Sequence, residues 1–173
     1  MQVESLIDAG AFRQAMAELV APLTIVTTVD ENGRRWGFTA SSVTSGSLEP
    51  PLLLVGVDRR SSCHAAITSC REFVVNVLGE QHRDLARTFA THGADRFAGG
   101  ELGYWPDSDL PCLLDAKAAF RCVSSGTLAV GDHDLLVGSM VATRLNVGGT
   151  PLLWYQRDFA LPARETGVVR NPV

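Results

Sequence analysis

The chain lacks most of the patterns that announce a chemistry directly. Its four cysteines, Cys63, Cys70, Cys112 and Cys122, form no CxxC pair and keep no ligand-like spacing from His64, His82, His92 or His133, which argues against a metal site. There is no GxxxxGK[ST] loop, and no GxGxxG follows a strand pattern, so neither a P-loop nor a dinucleotide-binding βαβ unit is indicated. No run approaches the roughly 18 apolar residues of a membrane helix, and the opening MQVESLIDAGAFRQ is acidic and without the apolar stretch of a secretion signal. Internal repeats, low-complexity tracts and blocks of like charge are missing too. With a net charge of -4 spread along the chain, neither nucleic acid nor a membrane surface is expected as a partner. Reduced thiols and a cytoplasmic location are the corresponding expectation.

What is present is ordinary in bulk and specific in detail. With 46% apolar and 20% charged side chains, 173 residues suffice for one good-sized core, and no composition shift marks a boundary. A single domain over 1–173 is expected, its core between about residues 10 and 160 and an arm over 161–173. Asp8 is placed to cap a helix whose Phe12, Ala15, Met16 and Leu19 share one face, with Pro22 past its end. LTIVTTVD reads as a β-branched strand, Asn32-Gly33 as a tight hairpin turn, and a return strand begins near Arg34. LLLVGVD is apolar on both faces, as in a central strand.

SSCHAAITSC then reads as a short helix capped by Ser61 or Ser62, EFVVNVLG as a strand, and EQHRDLARTFATHG as a helix with Leu85 and Phe89 inward. The segment from Ala98 to Leu114, rich in Gly, Pro and Asp, reads as a long loop. AKAAFRCVSSGTLAV, HDLLVGSMVATRLN and PLLWYQRDF follow as strands. Strands this close together do not alternate with helices, so the expectation is a mainly β fold, a Greek-key barrel with a few short helices.

Four stretches have the composition of a binding site. GFTASSVTSGSLEPP concentrates hydroxyls and small side chains where hydrophobic alternation fails; a strand edge with a Ser/Gly turn accounts for it, and so does a backbone surface for a polar heterocycle. VDRRSS ends an apolar strand with two arginines and opens a helix with two serines, a set suited to a phosphate and equally to a charged turn with a serine cap. ADRFAGG places Arg96 and Phe97 at the mouth of the long loop, where a salt bridge and a core anchor are the simpler reading and a planar ligand with a charged tail the other. Gly131-Asp132-His133-Asp134 sets a histidine at a turn between two apolar strands, hence at a barrel rim, held by its acids or facing a ligand. Trp154, Tyr155 and Arg157 follow near the end, while His64, His82 and His92 read as solvated surface.

Taken in order, FRQAMAELVAPLTIVTT, GFTASSVTSGSLEPPLLLVGVDRRSS, FVVNVLGEQHRDLARTFA, DRFAGG, GDHDLLVG and PLLWYQRDF resemble the flavin reductase family that supplies reduced flavin to two-component monooxygenases. The resemblance implies an FMN-binding split β-barrel acting as a homodimer, with FMN or FAD reduced by NADH or NADPH and passed to a partner flavin-dependent monooxygenase. It further implies that Thr39, Ala40, Ser41 and Ser42 border the isoalloxazine, that Arg60, Ser61 and Ser62 hold the flavin phosphate, and that Arg96 and Phe97 reach the same cofactor. His133 is then the residue facing the nicotinamide nucleotide, with Tyr155 and Arg157 close by. Leu23 and Cys63 depart from the family's usual residues. Two other readings share the flavin: an FMN oxidase of the pyridoxamine-phosphate type, which needs a basic cluster for a phosphorylated amine, and a flavin-binding protein without turnover.

Overall fold

The computed structural model describes residues 6–163. The chain runs through α1 (Ala9–Met16), β1 (Ala21–Pro22), β2 (Thr24–Val29), β3 (Arg35–Ala40), β4 (Val43–Ser47), β5 (Leu52–Asp58), α2 (His64–Ser69) and β6 (Glu72–Val77). A 3-10 turn (Glu80–His82), α3 (Arg83–Ala90), β7 (Gly103–Tyr104), β8 (Pro111–Cys112), β9 (Ala118–Val130), β10 (His133–Leu145), β11 (Leu153–Tyr155) and β12 (Asp158–Ala160) complete it.

Seven strands form one antiparallel sheet in the order β3-β2-β6-β9-β10-β5-β4. Its two outer strands, β3 and β4, are consecutive in the chain and joined by Ser41 and Ser42 alone. In a flat sheet, outer strands six spacings apart would lie roughly 29 Å from each other, and a two-residue link reaches only about 11 Å. The sheet therefore rolls until its edges meet, which makes it a barrel split along the β3/β4 seam.

The β-branched run of β2 forms the expected strand, yet three of its six buried or half-buried residues are threonines. Buried hydroxyls are costly unless paired. Thr24 Oγ1 donates to Ala40 O at 2.9 Å, Thr27 Oγ1 to Pro111 O at 2.6 Å, and Thr28 Oγ1 to Glu72 O at 2.6 Å. Buried Asn76 does similar work, donating to Ile25 O and accepting the Leu113 N–H, both at 2.9 Å. Apolar packing is divided between the barrel interior (Val26, Val55, Phe73, Leu136) and the space beneath α3 (Ile25, Leu78, Phe89, Leu152).

Several sequence expectations need correction. The expected loop from Ala98 to Leu114 contains the β7/β8 hairpin and buries Trp105, Leu110 and Cys112 against Val74. PLLWYQRDF is not one strand but the tight hairpin β11/β12, turned by Gln156 and Arg157 at φ of 48° and 63°. β5 lies inside the sheet but buries only one face; Leu52 and Leu54 are half-buried. Asp8 caps α1 as expected, accepting the Gly10 and Ala11 N–H groups, but the helix buries no residue and Phe12 and Met16 stay exposed. Neither serine caps α2, whose first residue follows Cys63; Ser61 Oγ accepts the Cys63 N–H instead. His82 is buried, its Nδ1 accepting the Gly79 N–H, and is not a surface residue. The four cysteines are free and buried. No helix among the described residues is long and apolar enough to cross a membrane. The arm expected over 161–173 falls mostly outside the described residues.

Candidate functional site

β4 pairs with β5 only up to Val55, and one further bond, Gly56 N–H to Ser42 O at 2.9 Å, ends the contact. Beyond it the last residues of β5 face the end of β3 across a gap, and this gap is a cavity of about 560 Å³. That is within the range of small-molecule sites. One wall is Thr39, Ala40, Ser41 and Ser42. The other is Gly56, Asp58 and the Arg60-Ser61-Ser62 turn, with Arg96 and His133 at the margins. A Cβ on Gly56 would meet Ser42 Oγ at 2.9 Å, so the seam closes this tightly only over a glycine.

The wall residues are individually fixed. Thr39 Oγ1 donates to Ala86 O at 2.6 Å, fastening the end of β3 to α3. Ser42 Oγ donates to Gly56 O at 3.0 Å. Across the gap, Asp58 accepts the Arg60 backbone N–H at 2.8 Å and its guanidinium at 2.9 and 3.2 Å. The Arg60 side chain and then its backbone N–H hold the Asp58 carboxyl down to about 2. Arg60 is thereby aimed while remaining exposed, its Nη1 uncommitted, and the Ser62 hydroxyl has no partner among the described residues.

The two adjacent arginines have different tasks. Arg59 leans over the β9/β10 turn: its Nη2 donates to Asp134 at 2.7 Å, its Nη1 to Gly131 O at 3.1 Å, and its N–H to Asp132 O at 3.2 Å. Asp134 also meets His64 Nε2 at 2.7 Å, so His64 is a half-buried clamp of this turn and not free surface. Arg59 foremost, then His64, lowers the Asp134 carboxyl below the usual range. His133 opens β10 directly opposite Asp58 in the ladder, is 44% exposed, and has Nδ1 2.7 Å from Asp132. Asp132 therefore orients the imidazole, whereas Asp134 does not touch it.

Arg96 reaches the same cavity but is largely committed to structure, its Nη1 donating to Gly37 O at 2.8 Å and contacting Cys63 Sγ, its Nη2 donating to Thr91 O. Phe97 stacks edge-on against Phe89 with centroids 5.2 Å apart and lines a neighbouring cavity instead. Tyr155 and Arg157 border neither. The Tyr155 hydroxyl donates to Glu18 at 3.3 Å, and Arg157 is exposed in the β11/β12 turn. Asp58, His64 and His92 were not singled out from the sequence as site residues, and Arg59 was read only together with Arg60 in the VDRRSS turn. For Asp58 and Arg59 the local signal is a charge flanking a strand end, which is common in any turn, whereas His64 opens α2 and His92 follows α3.

A family model described as "Flavin reductase like domain" matches residues 16–161. The chain belongs to that family. Among its relatives, an NADH:riboflavin 5'-phosphate oxidoreductase of Streptomyces pristinaespiralis is 50% identical over 157 residues, covering 90% of this chain and 89% of that protein. A solved chain from Sinorhizobium meliloti 1021 superposes with a TM-score of 0.84 at 35% identity over 91% of this chain, which spans only 54% of that longer one. BorF, the flavin reductase component of a bacterial two-component tryptophan halogenase, superposes with a TM-score of 0.82 at 25% identity, over 91% of this chain and all of that one. The split barrel of this flavin reductase-like chain is the architecture these neighbours share.

Proposed function

We propose that this NAD(P)H-dependent flavin reductase transfers a hydride from NADH to riboflavin 5'-phosphate and releases the reduced flavin to a separate flavin-dependent monooxygenase. The observation that carries the reading is convergence. Thr39–Ser42, Arg60–Ser62 and His133, far apart in sequence, line one cavity at the barrel seam. The residues present suit a flavin: backbone and hydroxyl groups along one wall, and an uncommitted Nη1 of Arg60 and the Ser62 hydroxyl along the other.

When bound, the nicotinamide supplies the hydride and the flavin ring receives it. The chain's own task is to bind and orient. Arg60, Ser61 and Ser62 anchor the flavin phosphate, Thr39 to Ser42 fix the ring's edge, and His133, set by Asp132, positions the nicotinamide nucleotide. This division needs no acid or base at the hydride. The exposed apolar side chains of α1 and of the β9/β10 ribbon, including Phe12, Met16, Leu128 and Val141, support a homodimer. The four free cysteines accord with a cytoplasmic protein.

The test is to mix the protein at catalytic concentration with FMN and NADH or NADPH and follow nicotinamide absorbance. Rapid oxidation that depends on added flavin is expected. Flavin binding without oxidation would assign a carrier, and bleaching of the flavin by a phosphorylated amine under anaerobic conditions, with no oxidation of NADH, would assign the oxidase chemistry.

A further inference from the structure

No task in the reductase reading falls to His92, although it lines the seam cavity and also a second cavity of about 620 Å³ that adjoins it. Its place is set by the exit from α3. Thr91 leaves the helix in an extended conformation, Gly93 turns the chain at φ 75°, and Arg96 Nη2 donates to Thr91 O at 3.2 Å, closing the turn over 91–96. The imidazole is thereby held, exposed, on the boundary between the two cavities. The chain has four histidines, and three of them meet a carboxylate: His64 with Asp134 at 2.7 Å, His82 with Asp115 at 3.1 Å, and His133 with Asp132 at 2.7 Å. Among the described residues His92 meets none.

The two carboxylates that line its cavities are committed, Asp58 to Arg60 and Asp95 to the Phe97 N–H. The other charged or titratable groups there are basic, Arg60 and His133 in the first cavity, Arg34 and Arg35 in the second and Arg96 in both, apart from the Cys63 thiol, which donates to Gly37 O at 3.1 Å. A proton on His92 therefore finds no counter-charge in the chain and adds to a cationic surface. An arriving anion reverses that balance, and the uncommitted groups nearby suit one: Arg60 Nη1, the Ser62 hydroxyl and the buried, unpartnered Nε of Arg96. Imidazole is the side chain whose charge changes between about pH 5 and 8. We propose that His92 is a proton-linked contact for the phosphate of FMN, joining Arg60 and Ser62 on it in the protonated form and taking up that proton as the flavin binds. The inference rests on the reading of the seam cavity as the flavin site.

Titration of FMN and of riboflavin into the full-length protein reads the contact without turnover. At about pH 6 the parent is expected to bind FMN roughly tenfold more tightly than His92→Ala or His92→Gln, as for one charge-assisted bond, and the difference is expected to vanish by about pH 8. His92→Lys, charged at both pH values, is expected to keep the tighter binding at about pH 8. Because a phosphate monoester itself titrates near about pH 6, proteins are compared at one pH and not one protein across pH. Riboflavin, which lacks the phosphate, is expected to bind all four proteins alike, which also shows that the variants fold. Calorimetry of FMN binding in buffers of different ionisation heat is expected to give more proton uptake for the parent than for His92→Gln. A His92→Gln protein that matches the parent at about pH 6, a loss shared equally by riboflavin, or equal losses at both pH values would overturn the proposal. So would a pH-linked rise in KM for NADH with FMN affinity unmoved. A parent that shows the His92-dependent profile yet fails to oxidise NADH with FMN would overturn the reductase reading and leave the phosphate contact standing.

Discussion

At the scale of single residues, Arg59 and Arg60 show how neighbours of identical chemistry divide their roles. Arg59 spends its hydrogen bonds on the β9/β10 turn, and Arg60 is braced by Asp58 at the cavity mouth. Arg60→Ala is expected to weaken FMN binding by roughly 1.5–3 kcal/mol, about ten- to a hundredfold, read by quenching of flavin fluorescence. Unchanged affinity would move the phosphate elsewhere. His133→Ala is expected to raise KM for the nicotinamide nucleotide more than it weakens flavin binding, and equal losses in the two titrations would remove His133 from the nicotinamide side. Sequence reasoning reached Arg60, Ser61, Ser62 and His133 because each sits at an abrupt stop of an apolar strand. It did not reach His64 or tell the task of Arg59 from that of Arg60, since Arg59 and His64 both answer to Asp134, 75 and 70 residues away.

At the scale of elements, the rim is held by a small electrostatic clamp. Asp134 joins the β5 end, the α2 start and the β9/β10 turn through Arg59 and His64, while Gly131, at φ 59°, permits the tight reversal. Arg59 is 42% exposed, so solvent screens the clamp and its contribution to stability is small. Its role is positional. Asp134→Asn is expected to leave the melting temperature nearly unchanged, to accelerate hydrogen exchange of the turn amides at 131–134, and to raise KM for NADH; exchange rates equal to the parent's would show that the clamp holds nothing in place. Strands with β-branched runs and the Asn32-Gly33 turn were legible because local propensity and tertiary structure agree there. The β7/β8 hairpin and the β11/β12 break were not. Two- and three-residue strands have too few positions to show a period, and their order comes from burying Trp105 and Leu152.

At the scale of the whole molecule, the order of strands was beyond sequence reasoning, while the class of fold was within it. Nothing local says that β9 pairs β6, yet the density of strands and the lack of alternating helices are enough to exclude a doubly wound sheet. Phe12 and Met16, read from the sequence as the apolar face of a helix, are exposed here, as are Leu128 and Val141. Light scattering is expected to give twice the chain mass of 18.6 kDa, since a stable pair needs about 800 Å² of such surface from each copy. A monomer mass at working concentration would leave those side chains unexplained.

The seam has a mechanical consequence. Most of the barrel's staves are joined by ladders, but β3 and β4 meet only through Ser41 and Ser42, and the cavity lies in the remaining gap. A molecule lodged there takes the position of a missing stave and touches both free margins at once. Under the proposed function, occupancy of the gap and rigidity of its wall are therefore expected to rise and fall together.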